Sequence, residues 1–132
     1  VQRKIKILNK LDFKEKKEHL NLYKEIDLAL DTFPYNGVTT TFEALWMNVP
    51  VLVLKGFNFN SRCGESIIKN SKLDYFIAKN KSEYIEKALY LSKNKEFIIK
   101  FRKQIYETIL SSPLFESKRF SVNLQNSLLK LI

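Results

Sequence analysis

The sequence predicts an α/β fold, a short parallel sheet of about four strands covered by helices and followed by a helical C-terminal tail. Three observations lead there. Apolar runs of strand length recur along the chain, segments with helical spacing separate them, and Pro, Gly and Asn punctuate the joins. Strands alternating with helical segments pair in parallel, because a crossover helix carries the chain back to the same end of the sheet.

Residues 4–8 read as a first strand, followed by a charged loop and a helix over about 14–24. Ile26, Leu28, Ala29 and Leu30 form an apolar run that makes residues 26–31 the second strand. Pro34 with Asn36-Gly37 then supplies the fixed and the permissive backbone angles of a turn. Thr39, Thr40 and Thr41 open a helix that runs to about Met47. Residues 50–54, Pro-Val-Leu-Val-Leu, are a third strand of the fully buried kind, stopped by Gly56. The loop 57–60 leads into a helix from Ser61 to about Ser71, and residues 75–78 give a short last strand.

The rest reads as helical. Asn80 with Glu83 caps a helix to about Ser92, and Ile98, Phe101, Ile105 and Ile109 recur at helical spacing in the next one. Pro113 marks a break, and Phe120, Leu124, Leu128 and Leu131 place an apolar stripe on the closing helix. Each stripe reads as core rather than as a ligand site.

A length of 132 residues makes one domain, and 45% hydrophobic with 13% aromatic residues is ample for a core. Residues 1–80 hold the βα units and residues 81–132 the C-terminal helices of what reads as a single partial domain. No apolar run approaches the ~20 residues of a membrane span, so a soluble chain with no membrane partner is expected. Cys63 is the single cysteine, which excludes an intramolecular disulfide and a cysteine-based zinc site. That usage fits a reducing compartment and points to the cytoplasm. The N-terminus has neither a charged-then-apolar leader nor an initiator Met, so the start reads as truncated.

The net charge of +9 raises nucleic acid as a partner. The lysines argue against it, because Lys14, Lys16, Lys17, Lys69, Lys72, Lys79, Lys81, Lys93 and Lys95 are scattered rather than interleaved with aromatics. Most read as solvated helix faces.

The chemistry concentrates after the second strand. The first turn of a helix has unpartnered N–H groups and the positive end of the macrodipole, so it attracts phosphate, and threonine hydroxyls add donors. A nucleotide diphosphate is the natural guest. Thr40 and Glu43 also have capping-box spacing, in which the same side chains only satisfy the helix's own N–H groups. Both readings stand at this point.

Residues 26–50, ending Glu43-Ala44-Leu45-Trp46-Met47-Asn48-Val49-Pro50, resemble the nucleotide-sugar-binding segment of the O-GlcNAc transferase/SPINDLY-like protein glycosyltransferase family. Ser61-Arg62-Cys63-Gly64-Glu65-Ser66-Ile67-Ile68 resembles the family's next loop-to-helix junction. Ser111-Ser112-Pro113-Leu114-Phe115 with Arg119-Phe120 resembles its C-terminal signature. The resemblance covers nearly the whole chain.

It implies an incomplete Rossmann-like three-layer domain, part of the C-terminal half of a GT-B glycosyltransferase. The expected sheet is then a four-strand remnant, with residues 4–8 pairing beside residues 26–31 or lying at the edge. An N-terminal Rossmann-like half and helical repeats are expected upstream in the full-length protein. The closing helices of such enzymes pack toward that other half, so some of their apolar residues are expected to be exposed here.

The resemblance also implies roles for single residues. Lys16 matches a lysine that contacts the nucleotide, and His19 matches a histidine placed against the base. Thr39 and Thr40 match the threonines that hold the diphosphate, and Glu43 an acidic residue that accepts hydrogen bonds from ribose. Asn36, Gly37, Thr41, Ser61 and Arg62 are expected to support this site, with Arg62 either facing the diphosphate or clamping a loop. Two positions depart from the family pattern: Val38 stands where histidine or threonine is usual, and Asn48 where glycine is common.

The implied reaction is attack by a protein Ser, Thr or Asn side chain on the anomeric carbon of a UDP-sugar or GDP-sugar, with the nucleotide diphosphate leaving. Helix-terminal amides, hydroxyls and lysines can stabilise that leaving charge without a metal. No metal and no cofactor beyond the donor is expected, and no catalytic base can be named. The other classes are a nucleotide-binding or scaffolding module without turnover and a basic nucleic-acid-binding domain.

Overall fold

The computed structural model describes residues 16–131. Helix α1 (Lys16–Asn21) passes through a 3-10 turn (Leu22–Glu25) into β1 (Ala29–Leu30). Then follow α2 (Thr39–Trp46), β2 (Val51–Leu54), α3 (Cys63–Asn70), β3 (Ile77–Ala78), α4 (Lys81–Lys93), α5 (Lys95–Leu110) and α6 (Ser117–Leu129). Among the described residues the three strands form one parallel sheet in the order β1-β2-β3. The expected strand over residues 4–8 lies outside the described residues.

Register follows from the apolar pattern. Ala29 pairs with Val51 and Leu30 with Leu52, while Val53 pairs with Ile77 and Leu54 with Ala78. All four residues of β2 are buried, so both faces of the central strand are covered, which is why its sequence is continuously apolar rather than alternating. The ladder also outlasts the paired residues of β1, because the Asp31 N–H donates to Leu52 O at 2.9 Å. Asp31 is thereby held at the carboxyl edge of the sheet.

Several ends differ from the sequence expectation. The strand expected over 75–78 is paired only at Ile77–Ala78, because Asp74–Phe76 forms a 3-10 turn that sends the wholly buried Phe76 ring into the core. The helix expected from Ser61 begins at Cys63, after a 3-10 turn over Phe59–Ser61. Asn80 caps α4 as expected, its side chain accepting from the Glu83 N–H at 2.9 Å. Glu83 reaches back to the Lys79 N–H instead of the cap residue's own.

Asn48 explains one departure from the family pattern. It follows α2 with φ of 60°, in the left-handed region where glycine has no steric cost and asparagine is among the best-tolerated side chains. The Arg102 guanidinium donates to Asn48 O at 3.0 Å and to Ile26 O at 2.8 Å, tying α5 to both ends of the segment that contains β1 and α2.

The core joins Leu45 and Val49, the β2 valines, Ile67 and Ile68 of α3, Phe76, Leu91 of α4, and Ile98, Ile105 and Ile109 of α5. Phe76 meets Phe101 edge to face at 5.0 Å between centroids. No side chain of α6 is buried, and Phe120, Leu124 and Leu128 of its stripe are exposed. Phe76→Ala is therefore expected to cost about 3–5 kcal/mol in urea denaturation, whereas Phe120→Ala stays within about 0.5 kcal/mol.

Candidate functional site

The first turn of α2 sits beyond the carboxyl edge of β1. Val38 is its N-cap and supplies no side-chain cap. The Phe42 N–H donates to Val38 O at 3.1 Å, so the amides of Thr39, Thr40 and Thr41 precede the first helical hydrogen bond. Thr39 and Thr40 are exposed, whereas Thr41 is buried and spends its hydroxyl on Gly37 O at 2.8 Å. The Thr40–Glu43 capping box does not form. Thr40 is the second residue inside the helix, not its cap, and Glu43 has other partners.

A web of hydrogen bonds fixes the turn that leads there, which carries a cis Phe33-Pro34 bond. Asp31 Oδ1 accepts from the Gly37 N–H at 2.8 Å and from the Thr32 N–H at 3.0 Å. Buried Asn36 donates to Thr32 O at 3.0 Å and accepts from the Gly64 N–H at 3.2 Å, so it links the starts of α2 and α3. Desolvation holds the Asp31 carboxyl above its ordinary value, opposed by the Gly37 and Thr32 amides.

Gly37 corrects one expectation about this turn. It does not adopt a positive φ. What it supplies is space, because a Cβ there would lie 2.4 Å from Thr40 Oγ1 and 3.3 Å from Asp31 Oδ1. Gly64 meets less yielding neighbours: a Cβ would lie 2.6 Å from Asp31 Oδ2 and 3.0 Å from Val53 Cγ1.

On one side of the turn, His19 Nε2 lies 3.2 Å from Glu43 Oε2. The Tyr23 hydroxyl donates to the same oxygen and to Thr40 O, both at 3.4 Å. Sequence reasoning missed Tyr23, although its position four residues after His19 was the available signal. Burial, then the adjacent Glu43 charge, pushes its hydroxyl up to about 12, so it remains a donor at neutral pH. Lys16 opens α1, three residues before His19. A hollow of about 180 Å³ lies here, lined by Tyr23, Asp31, Thr32, Gly37, Thr40 and Thr41 among others.

On the other side is a larger hollow of about 620 Å³, lined by Val38, Phe42, Phe57, Phe59, Arg62 and Glu65 among others. Phe57 and Phe59 are 83% and 84% exposed. Ser61 does not reach it: wholly buried, its Oγ accepts from the Phe57 and Asn58 amides and bonds Asn58 Oδ1 at 2.8 Å, which closes the loop. That arrangement leaves Ser61 a loop-shaping residue. Arg62 stands between its two expected roles, bonding Glu65 Oε2 at 3.4 Å while more than half exposed. Burial would raise the Glu65 carboxyl, but Lys55 at 2.9 Å, together with Arg62, holds it below the ordinary carboxylate range.

Among the described residues no group of three or more His, Cys, Asp or Glu is placed to hold a metal ion, and no helix is long and apolar enough to cross a membrane. Both glycines test the packing of this corner. Gly64→Ala meets buried atoms on every side and is expected to lose about 1–3 kcal/mol in urea denaturation. Gly37→Ala meets chiefly the hydroxyl of exposed Thr40, which can rotate away, so its loss stays near 1 kcal/mol.

Comparison with known proteins gives a consistent result. The sequence profile described as glycosyl transferase family 41 matches residues 3–124. The "Probable UDP-N-acetylglucosamine--peptide N-acetylglucosaminyltransferase SPINDLY" of Solanum lycopersicum is 34% identical over 109 residues, 83% of this chain. The correspondingly named SEC protein of Arabidopsis thaliana is 32% identical over 121 residues, 91% of this chain. The chain spans 12% of the length of each of these relatives. An O-GlcNAc transferase mutant of Thermobaculum terrenum superposes with a TM-score of 0.79 at 32% identity, covering 86% of this chain and 22% of that one.

Proposed function

Because this chain belongs to glycosyl transferase family 41, we propose that it is the nucleotide-sugar donor-binding part of a protein glycosyltransferase. The observation that carries the reading is the open first turn of α2, with Thr39 and Thr40 exposed at the carboxyl edge of the sheet beside the His19–Glu43–Tyr23 group. Ligands of open α/β sheets collect at that edge. The amides of Thr39 and Thr40 and their hydroxyls grip the donor's diphosphate, and Lys16 adds a point charge.

His19 presents its ring to the base. Glu43 accepts from ribose hydroxyls with the oxygen capacity that His19 and Tyr23 leave, since a carboxylate offers about four acceptor sites. A protein Ser, Thr or Asn side chain attacks the anomeric carbon, and the nucleotide diphosphate leaves with its charge held by preorganised donors rather than by a metal. The transferred sugar is GlcNAc-like, a hexose or fucose. Residues 1–80 carry the donor contacts and residues 81–132 brace them, while the acceptor protein meets a second Rossmann-like half supplied elsewhere in the full-length protein.

Val38 favours a second reading, a nucleotide-binding module without turnover, because it replaces a polar contact next to the phosphates with an apolar side chain that is 46% exposed. Retained nucleotide binding with no transfer by the full-length protein would select it. For the first reading, calorimetric titration with UDP and GDP is expected to show weak binding by this polypeptide, and an assay with a nucleotide-sugar no sugar transfer by it. The double variant Thr39→Val with Thr40→Val should weaken that binding about tenfold or more; an unchanged titration would remove the diphosphate from this corner.

A further inference from the structure

We propose that Asp31 is a positioning residue for the donor diphosphate, acting through Gly37 rather than by touching the ligand. The inference rests on the donor reading above. Its physical basis is a continuous relay from the sheet to the helix start. The Asp31 backbone is pinned to the sheet by its N–H, which donates to Leu52 O at 2.9 Å within the ladder; its carbonyl accepts from the Tyr84 hydroxyl of α4 at 2.9 Å, a brace that lies outside the relay. Only the side chain is left to project from the edge. There Oδ1 takes the Gly37 N–H at 2.8 Å, and Gly37 O in turn takes the Thr41 hydroxyl at 2.8 Å. One carboxylate oxygen thus ties the start of α2, and with it the amides of Thr39 and Thr40, to the end of β1.

The second oxygen distinguishes this from an ordinary turn. Oδ2 is buried without a hydrogen-bond partner, against the position where Gly64 lacks a Cβ. The relay uses Oδ1 as an acceptor and nothing else, so an amide oxygen in the same place can carry it. The negative charge is not needed for the relay and is like-signed with a diphosphate at the helix start. Asparagine should therefore preserve donor binding and alanine should not, whereas a role confined to stability has no reason to separate the two in this way.

The test is calorimetric titration of UDP into the protein made from its complete reading frame, with melting temperatures measured alongside. Asp31→Ala is expected to weaken UDP about tenfold or more, and Asp31→Asn to stay within about threefold of the parent or bind more tightly. Tyr84→Phe removes the bond to the Asp31 carbonyl but spares the relay, so it should lower the melting temperature and leave UDP affinity unchanged. If Asp31→Ala does not fold, Thr41→Val cuts the same relay one link later and carries the same expectation. UDP affinity that is unaltered in the alanine variant, or in Thr41→Val if it replaces it, overturns the inference. So does affinity that falls as far in Asp31→Asn or Tyr84→Phe. Loss of binding on replacing Thr39 and Thr40 with valine, but not Asp31 with alanine, would reject only this role, while indifference to both would reject the donor reading itself.

Discussion

The 2.8 Å hydrogen bond from the Gly37 N–H to Asp31 Oδ1 is the joint on which the geometry of this corner depends. β1 is short, and after Asp31 the chain leaves the ladder for seven residues before α2 begins. Without a fixed point, that turn could present the helix start at many angles. The carboxylate supplies the fixed point, Asn36 extends it to the start of α3, and Gly37 and Gly64 keep the space that both need. Two helix starts are therefore held against the same strand ends by four residues, and the exposed threonines inherit their placement from that web.

Much of the fold was legible because its central strand is buried on both faces and must be continuously apolar. Residues 51–54 can be nothing but strand in so short a run between Pro50 and Gly56. The helices were legible from their spacing and from local caps such as Asn80. Strand ends were not, since Asp74–Phe76 turns in order to bury Phe76, and a tertiary demand of that kind leaves no local mark. The same distinction divides the site. His19 and Glu43 are bonded to each other and Tyr23 links Glu43 to Thr40 O, but whether Thr40 and Glu43 form a capping box is decided by where the helix starts. That start is set by Asp31, eight residues before it, which four-residue spacing cannot register.

Two hollows flank the turn. The smaller is lined by Tyr23, Asp31 and the threonines together with Ala29, Leu30 and Val51, and the larger by Val38, Phe42, Phe57 and Phe59 with Arg62 held by Glu65. Val38 lines the larger hollow only. In the proposed complex the nucleotide occupies the His19 side and the turn contacts its phosphates, which leaves the aromatic hollow on the opposite flank of α2.

A crystal structure with UDP bound tests the central claim most directly. The account predicts phosphoryl oxygens within hydrogen-bond distance of the Thr39 and Thr40 amides and a uracil ring against His19. Phosphates lodged beneath Phe57 and Phe59, with the threonine amides untouched, would contradict it.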